Sequence, residues 1–232
     1  MNHALVVNQA LVVNQAPLIQ IENLTRKAAD SGKTLLDDLS ITIAAGDRVG
    51  LSGESGSGKT TLLRSLARLD PVHKGVFRFQ GQPILDLPKF RRNVVYLHQR
   101  PAMVDGTVRE NLQLPFSLST SQQAYNEEQI AHWLSAMDKP VAMLDQSVDT
   151  LSGGEQQIAA LLRAVQVQPA VLLFDEPTAS LDAVSTERFE QMVNLWFDSA
   201  SAQALVWISH DSQQLARMTN RTIRVAGGRI VS

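Results

Sequence analysis

Cysteine is absent from all 232 residues. That excludes disulfides, thiolate zinc sites, iron–sulfur clusters and cysteine nucleophiles. Aromatic residues are scarce, at 5%. Neither sign of charge dominates: 21 basic residues face 23 acidic ones, for a net charge of −2. That balance argues against a dedicated nucleic-acid binder, so no nucleic-acid partner is expected. Long hydrophobic runs are missing too. Val171–Phe174 and Leu205–Ile208 have strand length, far short of the ~20 residues a bilayer needs. The N-terminus has no basic stretch, and Asn and Gln break its apolar residues, so no secretory signal is expected. The expectation is a cytosolic chain, free to dock on a membrane-embedded partner. With 44% hydrophobic residues, global disorder is excluded. The length fits one large domain carrying at most a small inserted lobe.

Residues 5–16 spell LVVNQA twice. Two copies are too few for a solenoid. The expectation is a poorly ordered leader over 1–16, the alternative an extra edge strand. Folded sequence is expected over 17–232, opening on a strand at Leu18, Ile19 and Ile21. Strands are expected at Ser40–Ile43, Arg48–Ser52, Val76–Phe79, Asn93–Leu97, Val171–Phe174 and Leu205–Ser209. Helices are expected at Lys59–Leu69 and Val184–Phe197, and a closing hairpin around Gly227–Gly228. Residues 100–167 are rich in Gln, Ala, Leu and Met with helical period. The fold class expected is α/β: a mixed β core with an inserted, mostly helical lobe over about 100–167.

The chemistry concentrates in Gly53-Glu54-Ser55-Gly56-Ser57-Gly58-Lys59-Thr60, followed by Thr61. Glycines let the backbone curl so that its N–H groups face a phosphate. The helix that starts there favours an anion at its N-terminal end. Lys59 can reach the β- and γ-phosphates, and the Thr60 hydroxyl can bind Mg²⁺. Val171–Phe174 runs into Asp175 and Glu176. Successive strand residues face opposite sides, so Asp175 can face a metal shell while Glu176 reaches toward the γ-phosphate to orient or deprotonate water. A third feature, Leu151-Ser152-Gly153-Gly154-Glu155, offers another helix start with free N–H groups; its plainer reading is a loop with Ser152 as a helix cap.

Together these residues resemble the nucleotide-binding subunit of ATP-binding-cassette (ABC) transporters. Gly53–Thr60 looks like the Walker A of that family, Leu151–Glu155 its signature and Val171–Glu176 its Walker B. Gln99 falls where the family has its Q-loop glutamine, Ser180-Leu181-Asp182 at the D-loop, and His210 at the switch histidine. The resemblance runs from about Pro17 to the C-terminus and implies a P-loop NTPase fold that binds ATP and Mg²⁺. It implies that the ATP is shared between the Walker A of one copy and Ser152, Gly153 and Gly154 of a second, in an ATP-bound homodimer. Glu176, His210 and Gln99 are then catalytic, Asp182 lies at the nucleotide, and Thr60, Gln99 and Asp175 hold the metal. The helical lobe would dock a separate integral membrane permease, placing the chain at the cytoplasmic face of the cell membrane. Within the family the chain looks most like the ATP-binding subunit of the bacterial Fet-type iron exporter. Amino-acid uptake and lipoprotein-release systems are rivals. A soluble ABC-type ATPase not tied to transport, and a non-hydrolysing ATP-binding regulator, stay open.

Two departures stand out. The family usually stacks adenine on an aromatic residue about where this chain has Ala28; Arg26 or Lys27 could substitute through a cation–π contact with the base. Ile158 stands where the family commonly has Arg, while Arg163 is kept.

Overall fold

The computed structural model describes residues 16–117, 124–200 and 202–231. The repeat at 5–16 lies outside the described residues apart from Ala16. Two sheets organise the rest. One is antiparallel, in the order β2-β1-β4-β5, with β1 Ile19–Lys27, β2 Thr34–Ile43, β4 Lys74–Phe79 and β5 Gln82–Pro83. The other has the order β10-β9-β3-β8-β7-β6, with β3 Arg48–Ser52, β6 Val94–Leu97, β7 Val171–Asp175, β8 Ala204–Ile208, β9 Arg221–Ala226 and β10 Arg229–Val231. Every pair in this second sheet is parallel except the β9–β10 hairpin.

The parallel sheet explains its own sequence. Strands covered on both faces read as unbroken apolar runs, and β7 and β8 are buried at every position. Alternate side chains of β7 divide between two cores. Val171 and Leu173 face the antiparallel sheet and helix α1, Lys59–Leu66. Leu172 and Phe174 face Trp207 and helix α6, Ala183–Asp198. The second core continues into residues 100–167 through α3 Val108–Ser117, α4 Glu127–Ala136 and α5 Gly153–Val165. Helix α5 packs on both α3 and α6, so it belongs to the lobe and the sheet at once. Met137 and Met143 are buried in that core. Ile158 is buried there as well, so the residue that departs from the family pattern fills a packing position.

Several elements differ from expectation. Helix α1 stops at Leu66, because Arg68 takes a left-handed conformation at φ 53° ahead of Asp70-Pro71. Strand β2 starts at Thr34, six residues earlier than its apolar alternation suggests. Asn23 and Asp38 both sit at positive φ and share a 2.9 Å hydrogen bond, which shifts the register and hides the pattern. Helix α2, Leu87–Asn93, was not expected; its signal is the cap, Asp86 accepting from Lys89 N at 2.9 Å, with Pro88 in the first turn. A short helix α7, Ser212–Met218, follows β8. No helix among the described residues is long and apolar enough to cross a membrane.

Candidate active site

Four neighbouring strands, in the order β3-β8-β7-β6, end at one rim, and ligands of parallel α/β sheets bind at the C-terminal strand ends. Strand β3 runs into the glycine loop, β8 into His210, β7 into Glu176 and β6 into Gln99. The topology thus gathers side chains that lie up to 157 positions apart in the chain.

The loop of residues 53–58 curls as its glycines permit. Gly53 sits at φ +142°, and a Cβ there would meet Val225 O at 2.1 Å. Gly58, at φ +109°, begins α1 without a side-chain cap, so the first N–H groups of the helix stay available to an anion. Lys59 is buried and folds back across the loop, its Nζ donating to Gly53 O at 2.7 Å and Glu54 O at 2.8 Å. The Ser57 hydroxyl is buried with no partner. An ammonium, an uncapped helix start and an unsatisfied hydroxyl in one concave turn fit a polyanion. A hollow of about 260 Å³ beside the loop is lined by Glu54–Ser57 and Arg224–Gly227. Gly228 N donates to Ser57 O at 2.9 Å, so the closing hairpin buttresses the loop from below.

Beyond the loop, Thr60 Oγ1 donates to Asp175 Oδ1 at 3.1 Å. Tyr96 OH donates to the other oxygen, Oδ2, at 2.7 Å. Burial, then the Asp175 carboxylate, push the Tyr96 phenol well above its usual range, so it stays a donor. Among the described residues no cluster of three His, Cys, Asp or Glu could hold a metal. The donors at Thr60, Asp175 and Gln99 are hard oxygens, which suits Mg²⁺ completed by phosphate and water oxygens.

Glu176 occupies the left-handed region at φ +50°, its N–H donating to Ile208 O at 3.1 Å. This turn presents the carboxylate to two partners. His210 Nε2 lies 2.9 Å from Oε1, and Gln99 Nε2 donates to Oε2 at 3.2 Å. All three residues read as catalytic from the sequence therefore meet in one cluster.

The remaining expected residues lie elsewhere. Ser152 caps α5 in a reciprocal capping box: its Oγ accepts from Glu155 N at 3.3 Å, and Ser152 N donates to Glu155 Oε2 at 3.0 Å. The Ser152 hydroxyl also donates to Glu155 Oε2 at 2.8 Å, and that bond, ahead of the one from the Ser152 N–H, holds the Glu155 carboxyl below its usual pKa. Gly153 and Gly154 face Ser180 and Leu181, and a Cβ on Gly154 would lie 3.0 Å from Leu181 Cδ2. None of these residues lines the hollow beside the glycine loop. Asp182 caps α6, accepting from Ser185 N at 2.7 Å, which lowers its pKa.

Sequence reasoning missed two contributors, Tyr96 and Gln157, and named a third, Arg163, without its contacts. Tyr96 carried no signal, because its strand β6 is seen next to β7 only in the folded sheet. Gln157 is fully buried and donates to the carbonyls of His98 and Gln99, both at 3.3 Å, fixing the Gln99 backbone. Arg163 donates to Ala102 O at 2.8 Å and Asn111 Oδ1 at 3.4 Å, and burial lowers its pKa. A groove of about 1410 Å³ opens next to these two, between α2, β6, α3 and α5.

Residues 36–179 match the family described as ABC transporter. The chain is 33% identical to rice Protein STAR1 over 93% of its own length and 62% of that protein's. It is 30% identical to the Escherichia coli protein named Probable iron export ATP-binding protein FetA, over 86% of this chain and 87% of that one. It is 35% identical to Phosphate import ATP-binding protein PstB of Mycobacterium intracellulare, over 86% and 73%. A solved structure of the dimeric ATP-binding cassette MJ0796, in a post-hydrolysis state bound to ADP and Pi, superposes with a TM-score of 0.80 at 26% identity. That likeness covers 92% of this chain and 97% of that one. With its glycine loop, its strand-end acids and this breadth of likeness, the chain belongs to the ABC transporter family, as a P-loop ATPase cassette.

Proposed function

We propose that this chain is the ATP-hydrolysing subunit of a transporter, acting as an ATP-bound homodimer on a separate integral membrane permease at the cytoplasmic face of the membrane. The observation that carries the reading is the Gln99–Glu176–His210 cluster beside Thr60–Asp175. Phosphoryl transfer to water asks for positioning and charge stabilisation more than covalent chemistry. Lys59 and the loop N–H groups hold the phosphates. Glu176 accepts the proton of the attacking water, Gln99 fixes the carboxylate, and His210 holds its other oxygen and meets the γ-phosphate. Mg²⁺, where bound, would be held by Thr60, Asp175 and Gln99 and would offset phosphate charge.

The homodimer is supported by where the two glycine turns sit. In the Ser152–Gly154 turn, Gly153 and Gly154 have their own Ser180 and Leu181 as nearest neighbours, not their own glycine loop. A second copy in isologous contact brings that turn to the first copy's nucleotide and completes two sites. Asp182, next to that turn, lies at the same interface. The permease is supported by the groove where the 100–167 lobe meets α2 and β6, whose lining includes apolar Val95, Leu97 and Ala164 beside basic Lys89, Arg91 and Arg100. Cargo contacts belong to the permease. Iron export is the cargo reading, supported by likeness to the Escherichia coli protein.

Light scattering of Glu176→Gln with ATP and Mg²⁺ tests the central claim. A particle of doubled mass that reverts on ATP removal is expected; a monomer at saturating ATP overturns the shared site. For the cargo, iron-loaded cells expressing the chain with its permease should lose iron faster than cells carrying Lys59→Ala. Equal rates remove iron as cargo and leave the ATPase reading intact.

A further inference from the structure

Behind the catalytic cluster lies a buried polar network that the mechanism above does not use. Glu190, on α6, is 6% exposed. Its carboxylate accepts from Arg217 on α7 twice, Nε to Oε2 at 2.7 Å and Nη2 to Oε1 at 2.9 Å. Gln214, also on α7, is 3% exposed. Its Nε2 donates to Glu190 Oε1 at 2.8 Å and to Thr178 Oγ1 at 3.0 Å. Its Oε1 accepts from Trp207 Nε1 at 3.3 Å and lies 3.3 Å from Thr178 Oγ1. The glutamine therefore uses both amide hydrogens and its carbonyl oxygen.

The elements so joined are those that present the site. Trp207 lies on β8, which leads to His210, and α7 begins directly after Asp211. Thr178 follows Glu176 by two residues, in a turn where Ala179 N donates to Glu176 O at 3.3 Å. Helix α6 begins at Ala183, capped by Asp182. Apolar residues of equal volume would pack this space at no greater cost, since a network gains little over hydrophobic filling. What hydrogen bonds add is direction. Glu176 sits at φ +50°, a conformation that persists only where the surroundings impose it.

We propose that Thr178, Gln214 and Glu190 are positioning residues for hydrolysis: anchored on Glu190, Gln214 ties the turn after Glu176 to the strand before His210 and keeps carboxylate and imidazole in register. The inference rests on Glu176 and His210 acting as assigned above.

Thr178→Val removes the hydroxyl at constant shape, Thr178→Ser keeps it, and Gln214→Met empties the centre of the network. ATP turnover of the full chain is measured for each, with Glu176→Gln alongside. Misplacing a catalytic group by a fraction of an ångström to 1 Å costs on the order of 10–100-fold. Thr178→Val and Gln214→Met should therefore lower kcat about tenfold, leave KM for ATP within about twofold, and melt within a few degrees of the parent. Thr178→Ser should restore kcat. Parental kcat in Thr178→Val while Glu176→Gln is inactive overturns the positioning role alone. So does a loss that Thr178→Ser shares, or one that follows the folded fraction at the assay temperature. Parental turnover in Glu176→Gln removes the assignment of Glu176, and this inference with it. Should Gln214→Met fail to fold, the two Thr178 variants decide.

Discussion

Glu176 and His210 meet at 2.9 Å between carboxylate Oε1 and imidazole Nε2, on the ends of adjacent parallel strands. They come together because β7 and β8 are in register, with Asp175 opposite Ile208. Two groups in direct contact act as a unit, and their deletions should not multiply. Glu176→Gln should lower kcat by about 10²–10⁴-fold, the range for a general base. His210→Ala should fall in or near the same range, and the double variant should be no slower than the slower single one. Steady-state turnover of the four proteins decides; losses that multiply would show independent roles.

The closing hairpin gives a second prediction, remote from the chemistry. Gly228 sits at φ +78°, and a Cβ there would stand 2.4 Å from Leu35 O. Its backbone bonds to both Ser57 O and Asp37 N, joining the glycine loop to β2. Gly228→Ala must displace one of those neighbours. Strain of this type costs about 1–3 kcal/mol, and each kcal/mol lowers the Tm of a chain this size by roughly 2–4 °C. Calorimetry should show that drop, and ATP affinity should weaken along with it. An unaltered Tm with unaltered ATP binding would mean the hairpin does not brace the loop.

A third prediction concerns pH. Asp70 accepts two bonds from Arg64, at 2.8 and 2.7 Å, and pairs with Arg26 at 2.7 Å. The Arg64 hydrogen bonds, ahead of the opposing effect of burial, hold the Asp70 pKa below its ordinary 3.8. A carboxyl with a depressed folded pKa stabilises above its unfolded pKa, and that contribution is lost as pH falls through the folded one. Asp70→Asn should therefore cost about 2 kcal/mol at neutral pH, as for hydrogen bonds to charged groups. The gap should begin to close below the ordinary value of 3.8. Denaturant melts across that range check it; a gap constant down to the acid limit would refute the ion pair's part.

Most of this frame was legible because its signals are local and redundant. Val171–Phe174 announces a strand covered on both faces, and the glycine spacing of 53–58 can serve little but a curled loop. The reach of β1 through Arg26 and Lys27 was not legible. Bulges at Asn23 and Asp38 break the period of two on which a strand is recognised. Tyr96, Gln157 and the Glu190–Gln214 network were equally silent. Their roles depend on which strand lies next to which, and a polar residue on a buried face carries no sign of its partner until the sheet order is known. Ser152 illustrates the reverse case: the structure shows its plain reading as a cap, with the hydroxyl taking the Glu155 N–H, while the phosphate-facing role belongs to the proposed second copy.

The absent adenine platform yields the last prediction. Ala28 stands where the family's ring is expected, in a tight loop where its N–H donates to Lys33 O at 2.8 Å and its carbonyl accepts from Gly32 N at 3.1 Å. Arg26 does not replace the ring, since its guanidinium is committed to Asp70 and its side chain is 17% exposed. Lys27 brings no ring to the base, so the expectation is a base held without aromatic stacking and an affinity that comes chiefly from the phosphates, which ATP and GTP share. Adding a ring restores the missing contact, and stacking of a base on an aromatic side chain contributes about 1–3 kcal/mol. Ala28→Tyr should tighten ATP by roughly tenfold and GTP by less, while the parent chain should bind the two within a small factor of each other. Titrations of both nucleotides against both proteins measure all four values. A parent chain that already binds ATP tightly and rejects GTP would show that some other group reads the base.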